Sequence, residues 1–86
     1  MKLIRFSQHA LDQMRLRGAK QEEVRETVAT SSWQPAKHGK YQARKMFAFG
    51  RPSPINQQIY PFKTVQAIFA DEPNEIVIVT VLVYYG

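Results

Sequence analysis

Three polar side chains near the N-terminus have the spacing of a single helix face. His9, Gln13 and Arg17 recur every four residues, so on a helix they form one polar ridge. A histidine exchanges protons near neutral pH, and an arginine can hold a phosphate through two parallel hydrogen bonds. The ridge therefore predicts a phosphodiester-cleaving site that uses His9 and Arg17. The alternative is structural, because a histidine in a first turn can bond locally and an arginine in a last turn interacts favourably with the helix dipole.

A basic segment between residues 37 and 51 is the second candidate region. It contains no acid, and its basic side chains are interleaved with Tyr41, Phe47 and Phe49. Basic and aromatic side chains together can follow a sugar–phosphate backbone and stack on unpaired bases. Arg44 and the loop lysines are expected to remain free to meet a partner. The residues predicted to contact RNA are Lys37, Lys40, Lys45 and Arg51.

The same segment has the alternation of a strand. On a period of two, Gln42, Arg44 and Met46 share one face. The other face carries Tyr41, Ala43, Lys45, Phe47 and Phe49. Most of the aromatic side chains are therefore expected in the core rather than against RNA.

Hydroxyl groups interrupt the apolar C-terminal segment at Thr80, Tyr84 and Tyr85. Thr80 or Tyr84 is predicted to orient a scissile phosphate if the helix ridge packs close by. Otherwise such hydroxyls satisfy backbone groups or cover an edge of the core. His9 and His38 alone do not form a metal motif, and the chain has no glycine-rich phosphate loop and no HExxH pair. The sequence therefore predicts no metal and no other cofactor.

Two short helices are expected to present the ridge. Ser7 is a good N-cap for a helix over Gln8–Arg17, and Gly18 can adopt the left-handed conformation that ends it. A second helix is predicted from about Gln21 to Ala29. The residues expected to face the core from this helical hairpin are Ala10, Leu11, Met14, Val24 and Val28.

The second half of the chain predicts strands. Residues 30–40 are rich in Ser, Pro and Gly and predict a loop, and residues 50–61 contain three prolines and predict a long connection. The last two strands flank a four-residue turn and should form an antiparallel hairpin. Residues 2–6 either add a short strand or lead into the first helix. The predicted strands are Tyr41–Phe49, Phe62–Ala70 and Glu75–Tyr84.

The predicted fold class is α+β, in one domain over residues 1–86. It consists of an N-terminal helical hairpin packed on a three- to four-stranded antiparallel sheet. The 86 residues are 44% hydrophobic and include no cysteine, which excludes a disulfide framework and a thiol nucleophile. Small secreted domains usually need such cross-links, so a cytoplasmic location is predicted. The longest apolar run, residues 76–85, is about half as long as a membrane-spanning helix, so no membrane partner is expected.

The charge is unevenly distributed along the chain. The net charge is +5, and residues 1–51 hold 11 of the 12 basic residues with four of the seven acids. Phosphates attract such a surface at long range, so RNA is the expected partner. The alternative is a basic surface that serves solubility.

The N-terminal helices resemble a family of small bacterial domains of unknown function with the approximate signature HAxxRMxxRGIxxEEV. The C-terminal segment VTVLVYY is similar to the last strand of that family. Two positions depart from the signature: Gln13 replaces an arginine, which removes a cation from the ridge, and Ala19 replaces an aliphatic residue. The positions that match are His9, Ala10, Met14, Arg17, Gly18, Glu22, Glu23 and Val24.

That family looks like a distant relative of the RelE and ParE toxins, in which two N-terminal helices pack against an antiparallel sheet. The resemblance implies a RelE-like, RNA-directed protein, and in its strongest form a metal-free ribonuclease toxin with a cognate antitoxin. A ribose 2′-hydroxyl would attack the adjacent phosphate, His9 would transfer a proton, and Arg17 and Arg44 would stabilise the phosphorane. The alternatives are a non-catalytic module that binds RNA or protein, and a homo-oligomeric accessory protein that pairs through a strand edge.

Overall fold

The computed structural model describes residues 2–86. Both helices lie where the sequence predicts them, and the second ends at Thr30 rather than Ala29. One turn of 3-10 helix, Lys37–Gly39, separates the second strand from the third. The elements in chain order are β1 (Leu3–Phe6), α1 (Gln8–Arg17), α2 (Gln21–Thr30), β2 (Gln34–Pro35), β3 (Tyr41–Pro52), β4 (Ile59–Asp71) and β5 (Glu75–Tyr85).

The ends of α1 are set by the two residues predicted to cap it. The Ser7 hydroxyl accepts the N–H of Ala10 at 3.0 Å, which satisfies one of the free donors of the first turn. Gly18 adopts a left-handed conformation, with φ of 83°, and its N–H donates to the Met14 carbonyl at 2.9 Å. A Cβ at Gly18 would lie 2.7 Å from the Tyr85 hydroxyl, so the helix also approaches β5 closely here.

The fold is α+β, with two helices packed on a five-stranded mixed sheet of order β1-β5-β4-β3-β2. The prediction of three to four antiparallel strands is corrected, because β1 pairs in parallel with β5 and a two-residue β2 adds to β3. The crossover that a parallel pair requires runs here through both helices and through strands β2 to β4. Strands of four and two residues carry too little alternation to be read from sequence.

The long connection predicted over residues 50–61 is also corrected. β3 continues to Pro52 and β4 already begins at Ile59. The pairing shifts between Ala48 opposite Phe62 and Arg51 opposite Tyr60. Phe49 and Gly50 therefore lie opposite Pro61 alone, which is the two-against-one count of a β-bulge. Because a bulge interrupts the ladder, Pro61 fits there without an N–H to donate.

The helices cover one face of the sheet, and the core lies between them. As predicted, alternate residues of β3 share this side: Ala43 is buried and Phe47 packs against the core. The buried residues include Ala10, Met14, Val24, Val28, Val65, Ala67, Phe69, Ile76, Ile78, Val81 and Val83. Within residues 2–86, no helix is long and apolar enough to cross a membrane.

The other face of the sheet, here called the open face, carries the alternate residues of the three long strands. Their pairing places them in three rows across β3, β4 and β5. Neither α1 nor α2 covers this side, and the 3-10 turn at Lys37–Gly39 borders one end of it, so most of these side chains are available to a ligand. The rows are Gln42–Ile68–Thr80, Arg44–Gln66–Leu82 and Met46–Thr64–Tyr84.

Candidate functional site

Three side chains on the open face, Gln42, Gln66 and Arg44, are joined by hydrogen bonds between β3 and β4 and are here called the polar row. Arg44 Nη2 donates to Gln66 Oε1 at 3.0 Å, and Gln66 Nε2 donates to Gln42 Oε1 at 2.6 Å. Gln66 is only 7% exposed, so its amide is held in one orientation. Arg44 and Gln66 are directly paired across the strands, and Gln42 lies diagonally from Gln66, so both hydrogen bonds follow from the register of the sheet.

Tyr84 lies beside the arginine at the end of this row. The Arg44 guanidinium carbon is 5.8 Å from the centre of the Tyr84 ring, within the range of a cation–π contact. The tyrosine is 50% exposed, so part of its ring is open to solvent. A guanidinium has five N–H donors, and within residues 2–86 Gln66 is the one acceptor that it reaches. Arg44 therefore keeps donors for a ligand.

Thr80 belongs to the same face as Arg44 and Tyr84. It lies opposite Ile68, in the row that also holds Gln42. Three of the five predicted catalytic residues are thus on one surface. Arg44 and Tyr84 are in contact, and Thr80 lies two rows from Tyr84 along β5.

His9 and Arg17 are on α1, against the helix-covered side of the sheet. Arg17 Nη1 donates to the Val81 carbonyl at 2.9 Å, and Gln13 Oε1 accepts the Val81 N–H at 2.9 Å. These bonds satisfy the edge of β5 beyond the point where β1 ends. β4 and β5 therefore separate the Arg17 guanidinium from Arg44. His9 is exposed, and its side chain makes no hydrogen bond to another of the described residues.

The four residues predicted to contact RNA divide between two locations. Lys37 and Lys40 line a cavity on the open face together with Thr80. Lys45 lies on the helix side, where its Nζ bonds Glu26 Oε2 at 3.0 Å and the Thr30 hydroxyl at 2.8 Å. Arg51 lies over the Phe49 ring, with 5.3 Å between its guanidinium carbon and the ring centre. Two of the four therefore belong to the open face.

The polar row forms the wall of a cavity of about 610 Å³. Arg44 is the one charged residue in its lining, and no carboxylate faces it. A guanidinium with free donors beside two amides suits a phosphate together with the polar edge of a base. The lining residues are Ser32, Gln34, Gln42, Ala43, Arg44 and Gln66.

On the open face, the charge of Glu75 is neutralised by Arg5. Glu75, at the start of β5, accepts two hydrogen bonds from the Arg5 guanidinium, both at 3.0 Å. The hydrogen bond from Arg5 lowers the pKa of Glu75, so the carboxylate remains charged and paired near neutral pH. The rest of the open face is left with a basic balance.

A buried ionic cluster under the helical hairpin was not predicted. Lys63 is 2% exposed, and its Nζ donates to Glu23 Oε1 and to the Gly18 carbonyl, both at 2.9 Å. The Tyr85 hydroxyl donates to the Arg17 carbonyl at 2.5 Å. Burial, and then the Glu23 carboxylate, raise the pKa of Tyr85. The one sequence signal for this cluster is that Lys63 falls on the apolar face of β4, in phase with Val65, Ala67 and Phe69.

Gln42 and Gln66 belong to this candidate site but were not predicted for it from the sequence. Each is an ordinary strand residue until the pairing of β3 with β4 is known. Among residues 2–86, no group of three or more acidic or histidine side chains could hold a metal ion.

Comparison with protein-family models, with curated proteins and with solved structures finds no match to this chain.

Proposed function

We propose that this protein binds single-stranded RNA on its open face. The observation that carries the proposal is the Gln42–Gln66–Arg44 row with the half-exposed Tyr84 ring beside it. Arg44 would hold a phosphate through its remaining donors. The Tyr84 ring would stack on a base, a contact worth about 1–3 kcal/mol.

Charge supports RNA over a neutral partner. Lys37 and Lys40 stand at one end of the face, and Glu75 is paired with Arg5. A phosphodiester backbone can therefore cross the rows without meeting an unpaired carboxylate. Such a role fits a cytoplasmic protein. Two helices on a largely antiparallel sheet also fit the RelE-like plan that the sequence resemblance implies, although the parallel β1 extends that plan.

The test is the affinity of a fluorescently labelled single-stranded RNA oligonucleotide, measured by anisotropy across salt concentrations. Arg44→Gln should weaken binding by about 1–3 kcal/mol and reduce the slope of log affinity against log salt by about 0.7, the value for one phosphate contact on a single strand. The matched control is Arg15→Gln, which removes the same charge from an exposed position on α1. An affinity that is indifferent to salt, or equal losses in the two variants, would overturn the proposal.

Cleavage of the bound strand is a second candidate function, since Arg44, Thr80 and Tyr84 share one face. In such a step the 2′-oxygen would bond to phosphorus as its proton passes to water, and Arg44 would stabilise the phosphorane. The bond from phosphorus to the 5′-oxygen would then break as that oxygen takes a proton from water, with Thr80 or Tyr84 orienting the scissile group. The proton transfer assigned to His9 lacks support from the geometry, because His9 makes no contact with these residues. In the toxin form of this function, a cognate antitoxin would bind and cover the open face.

Induced expression separates cleavage from binding alone. If the wild-type protein slows growth and cuts RNA, Arg44→Gln and Tyr84→Phe should relieve both effects, whereas His9→Ala should retain them. If the wild type neither slows growth nor cuts RNA, the cleavage candidate is wrong and binding alone remains.

A further inference from the structure

A second cavity, of about 780 Å³, lies at the end of the open face next to the polar row. Its floor is apolar and includes Ile68 and Val79, with Pro35 on the adjoining wall. The polar and basic residues of its lining include Lys37, His38, Lys40 and Thr80. The volume is within the range of small-molecule sites, about 300–1,000 Å³.

The shape of this cavity is built into the backbone. The pairing of β4 with β5 shifts after Ile68, where Val79 is the extra residue of a bulge between Ile78 and Thr80. On the other side, the Ala36 N–H donates to the Lys40 carbonyl at 2.8 Å, which closes the loop that carries the lysines. His38, at the tip of this loop, has a left-handed φ of 61°. Both walls are therefore shaped by backbone pairing and hydrogen bonding.

The lining favours a ligand with an apolar planar part and an anionic part. The lining includes two lysines and no acidic residue, so an anion is favoured over a cation. The apolar floor suits the face of an aromatic ring, and the Thr80 hydroxyl with the Gln42 amide offers donors and acceptors for its edge. A base, a sugar and a phosphate combine these properties in one unit.

The cavity is continuous with the polar row through one shared residue. Gln42 lines both cavities, and its Oε1 accepts the hydrogen bond from Gln66. A ligand in the second cavity therefore lies one residue away from the row that ends at Arg44. Consecutive units of one strand could occupy the two cavities.

We propose that this second cavity binds one nucleoside monophosphate unit, with its base on Ile68 and Val79 and its phosphate at Lys37 and Lys40. This proposal rests on the RNA-binding function and names the unit that the second cavity would bind. The unit would be either part of an RNA strand or a free nucleotide, since the chemistry is the same.

The first test uses uridine and adenosine monophosphates, titrated into the protein while the methyl signals of Ile68 and Val79 are followed by NMR. Binding should shift both signals and leave that of Leu16, exposed on α1, unchanged. Lys37→Gln combined with Lys40→Gln should weaken the monophosphates at least tenfold while the parent nucleosides bind both proteins equally. Because the two lysines are surface residues, this variant should fold normally. An absence of Ile68 and Val79 shifts at millimolar nucleotide would overturn the proposal.

The second test separates the source of the ligand and uses the labelled oligonucleotide with a cavity-filling variant, Ala36→Trp. If the strand supplies the unit, Ala36→Trp should weaken oligonucleotide binding about tenfold and abolish monophosphate binding. If monophosphates bind and no oligonucleotide does, the cavity proposal is supported with a free nucleotide as the ligand. The proposed RNA-binding function is then wrong. If the oligonucleotide binds Ala36→Trp as tightly as wild type and monophosphates do not bind, the cavity proposal fails and the function stands.

Discussion

Gln13 shows how one side chain of the predicted ridge serves the fold. Its Oε1 accepts the N–H of Val81 at 2.9 Å, at an edge of β5 that no strand pairs with. An arginine has donors only and could not accept this bond. Gln13 thus supplies an acceptor that the edge of β5 uses.

We predict that Gln13→Leu lowers the free energy of unfolding by about 1–3 kcal/mol, because it leaves a buried N–H without a partner. Amide hydrogen exchange at Val81 should accelerate at the same time. Gln8→Leu is the matched control, since Gln8 bonds Asp12 on the exposed side of the same helix. Unchanged Val81 exchange in Gln13→Leu would show that the bond does not protect this edge.

Tyr85 makes stability depend on alkaline pH. Burial raises its pKa in the folded protein, so the folded state holds the phenolic proton more tightly than the unfolded state. Its contribution is complete below the unfolded pKa, near 10, and is lost as pH rises through the higher folded value.

We predict that Tyr85→Phe costs about 1 kcal/mol at neutral pH, through the lost bond to the Arg17 carbonyl. The difference in unfolding free energy between wild type and variant should shrink above about pH 10. Urea unfolding of both proteins between about pH 8 and about pH 11 checks this. A difference that stays constant over that range would contradict the predicted pKa shift.

At the scale of elements, the buried ionic cluster joins the helical hairpin to the sheet. Lys63 projects from β4 to Glu23 at the start of α2 and to Gly18 in the turn between the helices. Glu23 Oε1 also accepts the Lys20 N–H at 2.9 Å, so one carboxylate caps α2 and pairs with the sheet. The position of α2 depends on this pair as well as on Val24 and Val28.

We predict that Lys63→Met destabilises the protein by about 3 kcal/mol, because it strands a largely buried carboxylate. The estimate is at the low end for buried pairs, since Glu23 keeps 17% of its side chain exposed. Lys45→Met is the matched control: its partner Glu26 is half exposed, and its loss should cost about 0.5 kcal/mol. Equal costs in urea unfolding would show that burial adds nothing to the Lys63 pair.

Local signals decided which elements could be predicted from the sequence. Ser7 and Gly18 mark the ends of α1 by their own chemistry, so that helix was predicted at its observed bounds. β1 is too short to show alternation, and its parallel pairing depends on residues about 70 positions away. The reach of β3 and β4 was hidden by Pro52 and Pro61, because the bulge that accommodates Pro61 exists only once the strands pair.

At the scale of the whole molecule, the helices carry nearly balanced charge, with four acids and three arginines, whereas the open face is basic. Asp12, Glu22, Glu23 and Glu26, four of the seven acids, are on the helices. The open face has Arg44, Lys37 and Lys40 with a neutralised Glu75. The sequence shows the basic excess of residues 1–51, but the side on which each charge lies emerges only from the packing. Lys45, which was predicted to contact RNA, pairs with Glu26 because the packing places it on the helix side.

The residues of the candidate site could be predicted in part from the sequence, but the contacts between them could not. Arg44 and Tyr84 stand out by residue type, and period-two alternation places Arg44 with Gln42. Their contact requires the register of three strands, which alternation within one strand cannot supply. The ridge of α1 was predicted correctly as a helix face, but its Gln13 and Arg17 bond the edge of β5.

The central claim is that RNA binds the open face, and methyl NMR with a single-stranded RNA oligonucleotide tests it most directly. Met46, Ile68 and Leu82 report on the open face, whereas the exposed Leu16 reports on the helices. Shifts of the first three signals with an unchanged Leu16 are the predicted result. Shifts confined to Leu16, or no shift of any methyl at saturating RNA, would contradict the account.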